Sequence, residues 1–93
     1  MNAVKTFWKP EINDEIRGEY VEVLDKVGKY ASKVYKIRTG NEIIGIWGKR
    51  QLDSIMQSAK IGDMISLKYV GTEKVNDHDM KRFELEILND RKD

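Results

Sequence analysis

The chain has 93 residues and no cysteine, with 40% hydrophobic and 35% charged residues. That is enough apolar character for one compact core and too little for a cleft walled by two domains, and it excludes disulfides and thiolate metal sites. The net charge is only +1, yet it is laid down in blocks: Glu11 to Asp25 carries six acids against Arg17 alone, and Lys26 to Arg50 carries seven bases against Glu42 alone.

Along the chain, Phe7-Trp8-Lys9-Pro10 is an apolar lead-in, with Pro10 holding the preceding residue extended. It reads as part of an N-terminal strap, residues 1–13, covering the bottom of the fold, with Trp8 there for packing. Glu15–Asp25 is the first strand. Its apolar residues change parity, from Ile16-Gly18-Tyr20 to Val21-Val23, so a bulge is expected at Gly18. On that register Val21 and Val23 face the core and Tyr20 and Glu22 face out. Gly28 punctuates the turn that follows, and the second strand, Tyr30–Thr39, alternates Tyr35 and Ile37 inward against Val34, Lys36 and Arg38 outward.

Thr39-Gly40-Asn41-Glu42 makes a short hairpin into the third strand, Ile43–Trp47. Trp47 shares parity with Ile43 and Gly45, while Ile44 and Ile46 form the other face. Either set can be the inner one, and we read Trp47 as outward because Gly45 would let a flat ligand approach the backbone. Leu52, Ile55, Met56 and Ala59 then recur on one face of a helix, Gln51–Lys60, with Gly62 as its left-handed stop. Met64–Val70 is a fourth strand with Ile65, Leu67 and Tyr69 inward. A charged loop leads to the fifth, Lys81–Leu88, where Phe83, Leu85 and Ile87 alternate with Arg82, Glu84 and Glu86. Residues 89–93 read as a frayed tail.

The order β-β-β-α-β-β, all-β with one helix, is that of the five-stranded OB-fold Greek-key barrel, here in a single domain over residues 1–93. Such barrels bind oligonucleotides or oligosaccharides across the second and third strands and two flanking loops. The basic block coincides with that surface.

Catalytic chemistry has little to stand on. The one histidine, His78, lies in Asn76-Asp77-His78-Asp79, which reads as a solvated loop tip rather than a metal site. No phosphate-cradling glycine loop, Ser/His/Asp set or His-x-x-x-His pair is present, so neither enzyme activity, cofactor nor metal is expected. Single-strand binding needs a positive groove and aromatic faces together. Candidate stacking residues are Tyr20, Tyr30 and Trp47. Lys33, Lys36, Arg38, Lys49 and Arg50 are candidate phosphate contacts, which Lys74 and Arg82 would extend.

The chain resembles small OB-fold single-stranded-DNA-binding proteins of bacteriophages and prophages over about Phe7 to Ile87. The resemblance lies in Trp8 and Pro10, Asp14-Glu15-Ile16-Arg17-Gly18, Gly28-Lys29-Tyr30, Ile46-Trp47-Gly48, the helix from Leu52, Ile61-Gly62-Asp63-Met64-Ile65 and Lys68-Tyr69-Val70-Gly71. It implies non-specific binding of single-stranded DNA in phage replication or recombination, with homo-oligomers if the protein coats DNA. The long acidic tail of bacterial single-strand binders has no counterpart in Asn89-Asp90-Arg91-Lys92-Asp93. The rival readings are a protein–protein module with the strand-three Ile/Trp face as interface, and an RNA-binding barrel. No apolar run approaches the roughly 18 residues of a membrane span, and Met1 to Trp8 lacks a secretory pattern. The expected location is therefore cytoplasmic, in the host if phage-encoded.

Overall fold

One curled sheet carries almost the whole chain. The structure, a computed structural model, describes residues 6–88; the expected frayed tail and the first five residues of the expected strap lie outside the described residues. The elements are β1 (Thr6–Phe7), β2 (Glu15–Val27), β3 (Ser32–Thr39), β4 (Glu42–Trp47), α1 (Arg50–Met56), β5 (Met64–Val75) and β6 (His78–Ile87). In the sheet they lie in the order β1-β4-β3-β2-β5-β6. Counted from β2, the five main strands run third, second, first, fourth, fifth, with the helix between third and fourth. This is the connectivity of a partly open OB barrel.

The curl comes from β2 and β5. Residues 15–19 of β2 pair with β5 and residues 19–27 with β3, so one strand bends to serve two neighbours. The bend uses a bulge at Val21, between the pairs Tyr20–Ile37 and Glu22–Lys36. A second bulge sits at Val70 in β5, between Tyr69–Phe83 and Gly71–Arg82. Bulges of this kind kink the strand and increase its twist.

The expected bulge at Gly18 is therefore misplaced by three residues. Gly18 serves a different need: a Cβ there would overlap the Arg38 carbonyl oxygen and lie 2.9 Å from Ile37 Cγ2. Moving the bulge past Tyr20 leaves that ring on the inner face beside Ile37, buried, with its edge towards Tyr35 at 6.0 Å. Tyr20 is thus a core residue, not an outward one. Val23 shares the parity of Tyr35, but β2 has by then run past the core and leaves Val23 exposed.

The polar segment expected as a loop from Val70 to Asp79 is instead a hairpin. β5 and β6 stay paired to Val75–His78, and Asn76 and Asp77, both at positive φ (51° and 66°), make the turn. Positive φ at both central residues marks the tight hairpin turn whose twist matches its strands. The helix is shorter than its periodicity suggests, ending at Met56. Gly62, at φ 102°, belongs to the next turn, where its N–H donates to the Tyr20 carbonyl at 2.7 Å.

The core gathers Tyr35, Ile37, Ile44, Ile46, Ile65, Leu67, Tyr69 and Phe83 beneath Leu52 and Met56 of α1. Among the described residues no ladder joins β4 to β6, and two devices bridge that seam. Gln51 acts as a surrogate strand: its Nε2 donates to the Phe83 carbonyl (3.2 Å) and its Oε1 accepts from the Phe83 N–H (2.9 Å). The lead-in starts parallel to β4, its Trp8 N–H donating to the Gly45 carbonyl at 2.8 Å, and reaches β5, where the Asn13 N–H donates to the Tyr69 carbonyl at 2.7 Å. The Trp8 ring packs on Phe83, with centroids 6.1 Å apart.

Candidate nucleic-acid interface

The acidic and basic blocks of the sequence are brought face to face. β2 and β3 are neighbours, and on their outer face Asp25 meets Lys33 (2.5 Å), Glu22 meets Lys36 (3.1 Å) and Glu19 meets Arg38. The hydrogen bond from Lys33, together with its charge, holds Asp25 below the usual carboxylate range and lifts Lys33 above the usual amine range. Lys36 is itself largely buried in this layer. Ion pairs at a solvated sheet surface add little to stability, because water and salt screen them. Their larger effect is to cancel the positive potential expected on β3.

At one end of the barrel lie several lysines that are in no ion pair among the described residues. Here three hollows adjoin, all bordered by Lys49. The first, about 200 Å³, lies between the β2–β3 turn and β4, bordered by Lys29, Tyr30, Trp47 and Lys49. The second, about 250 Å³, lies on the open seam, bordered by Trp8, Lys9, Trp47, Lys49, Lys81 and Phe83. The third, about 450 Å³, lies between the start of α1 and the β5–β6 hairpin. Among the described residues Lys9, Lys29, Lys49 and Lys81 take part in no ion pair.

Trp47 stands where the first two hollows meet. Ile44 and Ile46 turn inward, so Trp47 projects from the outer face and keeps 38% of its surface exposed. Phe7 of β1 stacks on it at 5.1 Å and 16°, backing one face of the indole. The space expected beside Gly45 is not free, because Gly45 is buried with Phe7 as its ladder neighbour. Gly28 brings the β2–β3 turn against the other rim of the indole; a Cβ there would lie 3.6 Å from Trp47 Cη2. That turn carries Tyr30, which is 81% exposed with the Lys29 ammonium 5.8 Å from its ring centre.

Of the ten candidates read from sequence, Tyr30, Trp47 and Lys49 are brought together here. Arg50 borders the third hollow only. Lys33, Lys36 and Arg38 are engaged by β2 carboxylates, Arg82 by Glu73 at 2.8 Å, and Tyr20 is buried. Lys74 is exposed on the hairpin, directly across from Asp79. Sequence reasoning missed Lys9, Lys29 and Lys81 as groove residues, and Phe7 as the backing of Trp47. Lys9, Lys29 and Phe7 had one signal, adjacency to Trp8 or Tyr30, and Lys81 had none.

The chain matches no family model, no curated protein and no solved structure. Among the described residues, no helix is long and apolar enough to cross a membrane and no group of His, Asp or Glu is placed to hold a metal ion. His78 and Asp79 are consecutive exposed residues at the start of β6, and both border the third hollow.

Proposed function

We propose that this protein binds single-stranded DNA without sequence preference, as replication and recombination expose it, along the groove that passes Lys49. Bases stack on Trp47 and on Tyr30, each contact contributing about 1–3 kcal/mol. Lys9, Lys29, Lys49 and Lys81 neutralise the backbone. The observation that carries this reading is the coincidence, at one end of an OB barrel, of exposed aromatic rings with cations that are in no ion pair among the described residues. Elsewhere Lys33, Lys36 and Arg38 of β3 are neutralised by β2 carboxylates, so affinity of that face for polyanions is not expected.

Tryptophan fluorescence titrated with oligo-dT, oligo-U and duplex DNA, at low and high salt, tests it. Quenching by oligo-dT that fades with salt is the expected result, since bound phosphates release counterions. No response to any nucleic acid at low salt would refute it and turn attention to protein partners for the Trp47 face. A preference for oligo-U would move the reading to RNA.

A further inference from the structure

We propose that the third hollow, beneath the β5–β6 hairpin, is a phosphomonoester site, receiving the terminal phosphate of a strand or a free nucleoside monophosphate. Its cations are Lys49 and Arg50 from the β4–α1 junction and Lys81 from β6, and Asp79 is the one carboxylate on its wall. Three positive charges against one negative leave two. An internal phosphodiester carries one negative charge; a phosphomonoester carries about −1.5 to −2 at neutral pH and three acceptor oxygens. The wall charge therefore suits a phosphomonoester better than a phosphodiester, with Arg50 the cation that this hollow does not share with the groove. None of the three cations is in an ion pair among the described residues. Arg50 adds the planar donor fork that grips two phosphate oxygens at once.

The hollow is too large for phosphate alone. At about 450 Å³ it falls in the range of small-ligand sites, about 300–1,000 Å³. Val75 and Met80 give it apolar wall for a sugar and base, and Asn76 and His78 give polar groups for their edges. It is also continuous with the proposed strand path, since Lys49 and Lys81 border both this hollow and the one beside Trp47. The strand-end form of the proposal rests on the single-strand reading. The free-nucleotide form does not.

The test compares oligo-dT of one length bearing a 5′-phosphate, a 3′-phosphate or neither, at low salt, with the intact chain and with Arg50→Ala. Thymidine 5′-monophosphate is titrated separately by calorimetry. One terminal phosphate is expected to tighten binding about tenfold, the yield of one charge-assisted hydrogen bond, and Arg50→Ala to close that gap. Equal affinity for the three oligonucleotides with monophosphate binding that Arg50→Ala abolishes would assign the site to free nucleotides. Equal affinity and no monophosphate binding would overturn the proposal. If no oligonucleotide binds at all, the single-strand reading fails, and the monophosphate titration alone decides the site.

Discussion

The ion pairs across β2 and β3 make a quantitative prediction about salt. For single strands, log K falls with log[salt] at a slope of about −0.7 per phosphate neutralised. If the groove cations Lys9, Lys29, Lys49 and Lys81 make the contacts, the slope is about −2.8, and affinity falls about fifty-fold between 50 and 200 mM salt. If Lys33, Lys36 and Arg38 were engaged as well, the slope would be about −4.9 and the loss about nine-hundred-fold. They are not expected to contribute, because Asp25, Glu22 and Glu19 already neutralise them. The assay is fluorescence titration of oligo-dT across a salt series with the intact chain, Lys49→Ala and Arg38→Gln. Lys49→Ala is expected to reduce the slope to about −2.1, and Arg38→Gln, at an exposed pair on the sheet surface, to leave it unchanged. A slope near −5, or an equal reduction by both variants, would refute the idea that β2 silences β3.

Trp47→Ala is expected to weaken oligo-dT binding by about 1–3 kcal/mol. Its effect on the melting temperature should reflect loss of the Phe7 stack, about 0.5–1.5 kcal/mol, added to the loss of the ring's covered apolar surface; collapse of the fold would instead make Trp47 a core residue. Gly18→Ala places a methyl group against the Arg38 backbone and should cost about 3 kcal/mol or more. A shift in the urea midpoint reads this directly, and an unchanged midpoint would mean that β2 and β3 do not approach as closely as described. Alkaline titration should find Tyr35 resistant to ionisation. Burial first, and then its hydrogen bond to Asp53 (2.6 Å), raise its pKa from the ordinary 10.0. The unfolded chain releases that proton from about pH 10 and the folded chain does not, so stability is fully present below pH 10 and falls above it. Tyr35→Phe should flatten that fall while lowering stability at neutral pH, and an unchanged alkaline profile would refute the assignment.

The strands were legible because alternation is local. Ile65-Leu67-Tyr69 in β5, Tyr35-Ile37 in β3 and Phe83 in β6 each report a half-buried strand without knowledge of its neighbours. The helix was legible from Leu52 and Met56, though its end was not. Ala59 stays against the core through the turn after Met56, so burial continues after the helical hydrogen bonds stop. The Asn76–Asp77 turn was hidden by the charge around it, which resembles a solvated loop until the cross-strand pairs are known.

By itself, then, the sequence determined the order of strands and helix, and with them the barrel. These follow from side-chain periodicity over a few residues. Which side chains meet across the sheet is a property of pairing, and only the tertiary structure decided it. A shift of the bulge from Gly18 to Val21 carried Tyr20 from the surface to the core, because one residue of register exchanges the two faces of a strand. The basic block of β3 read as a phosphate surface for as long as the acidic block of β2 was distant in sequence. Folding sets β2 beside β3 and pairs these charges, while among the described residues Lys9, Lys29, Lys49 and Lys81, in no ion pair, gather around the hollows at one end of the barrel.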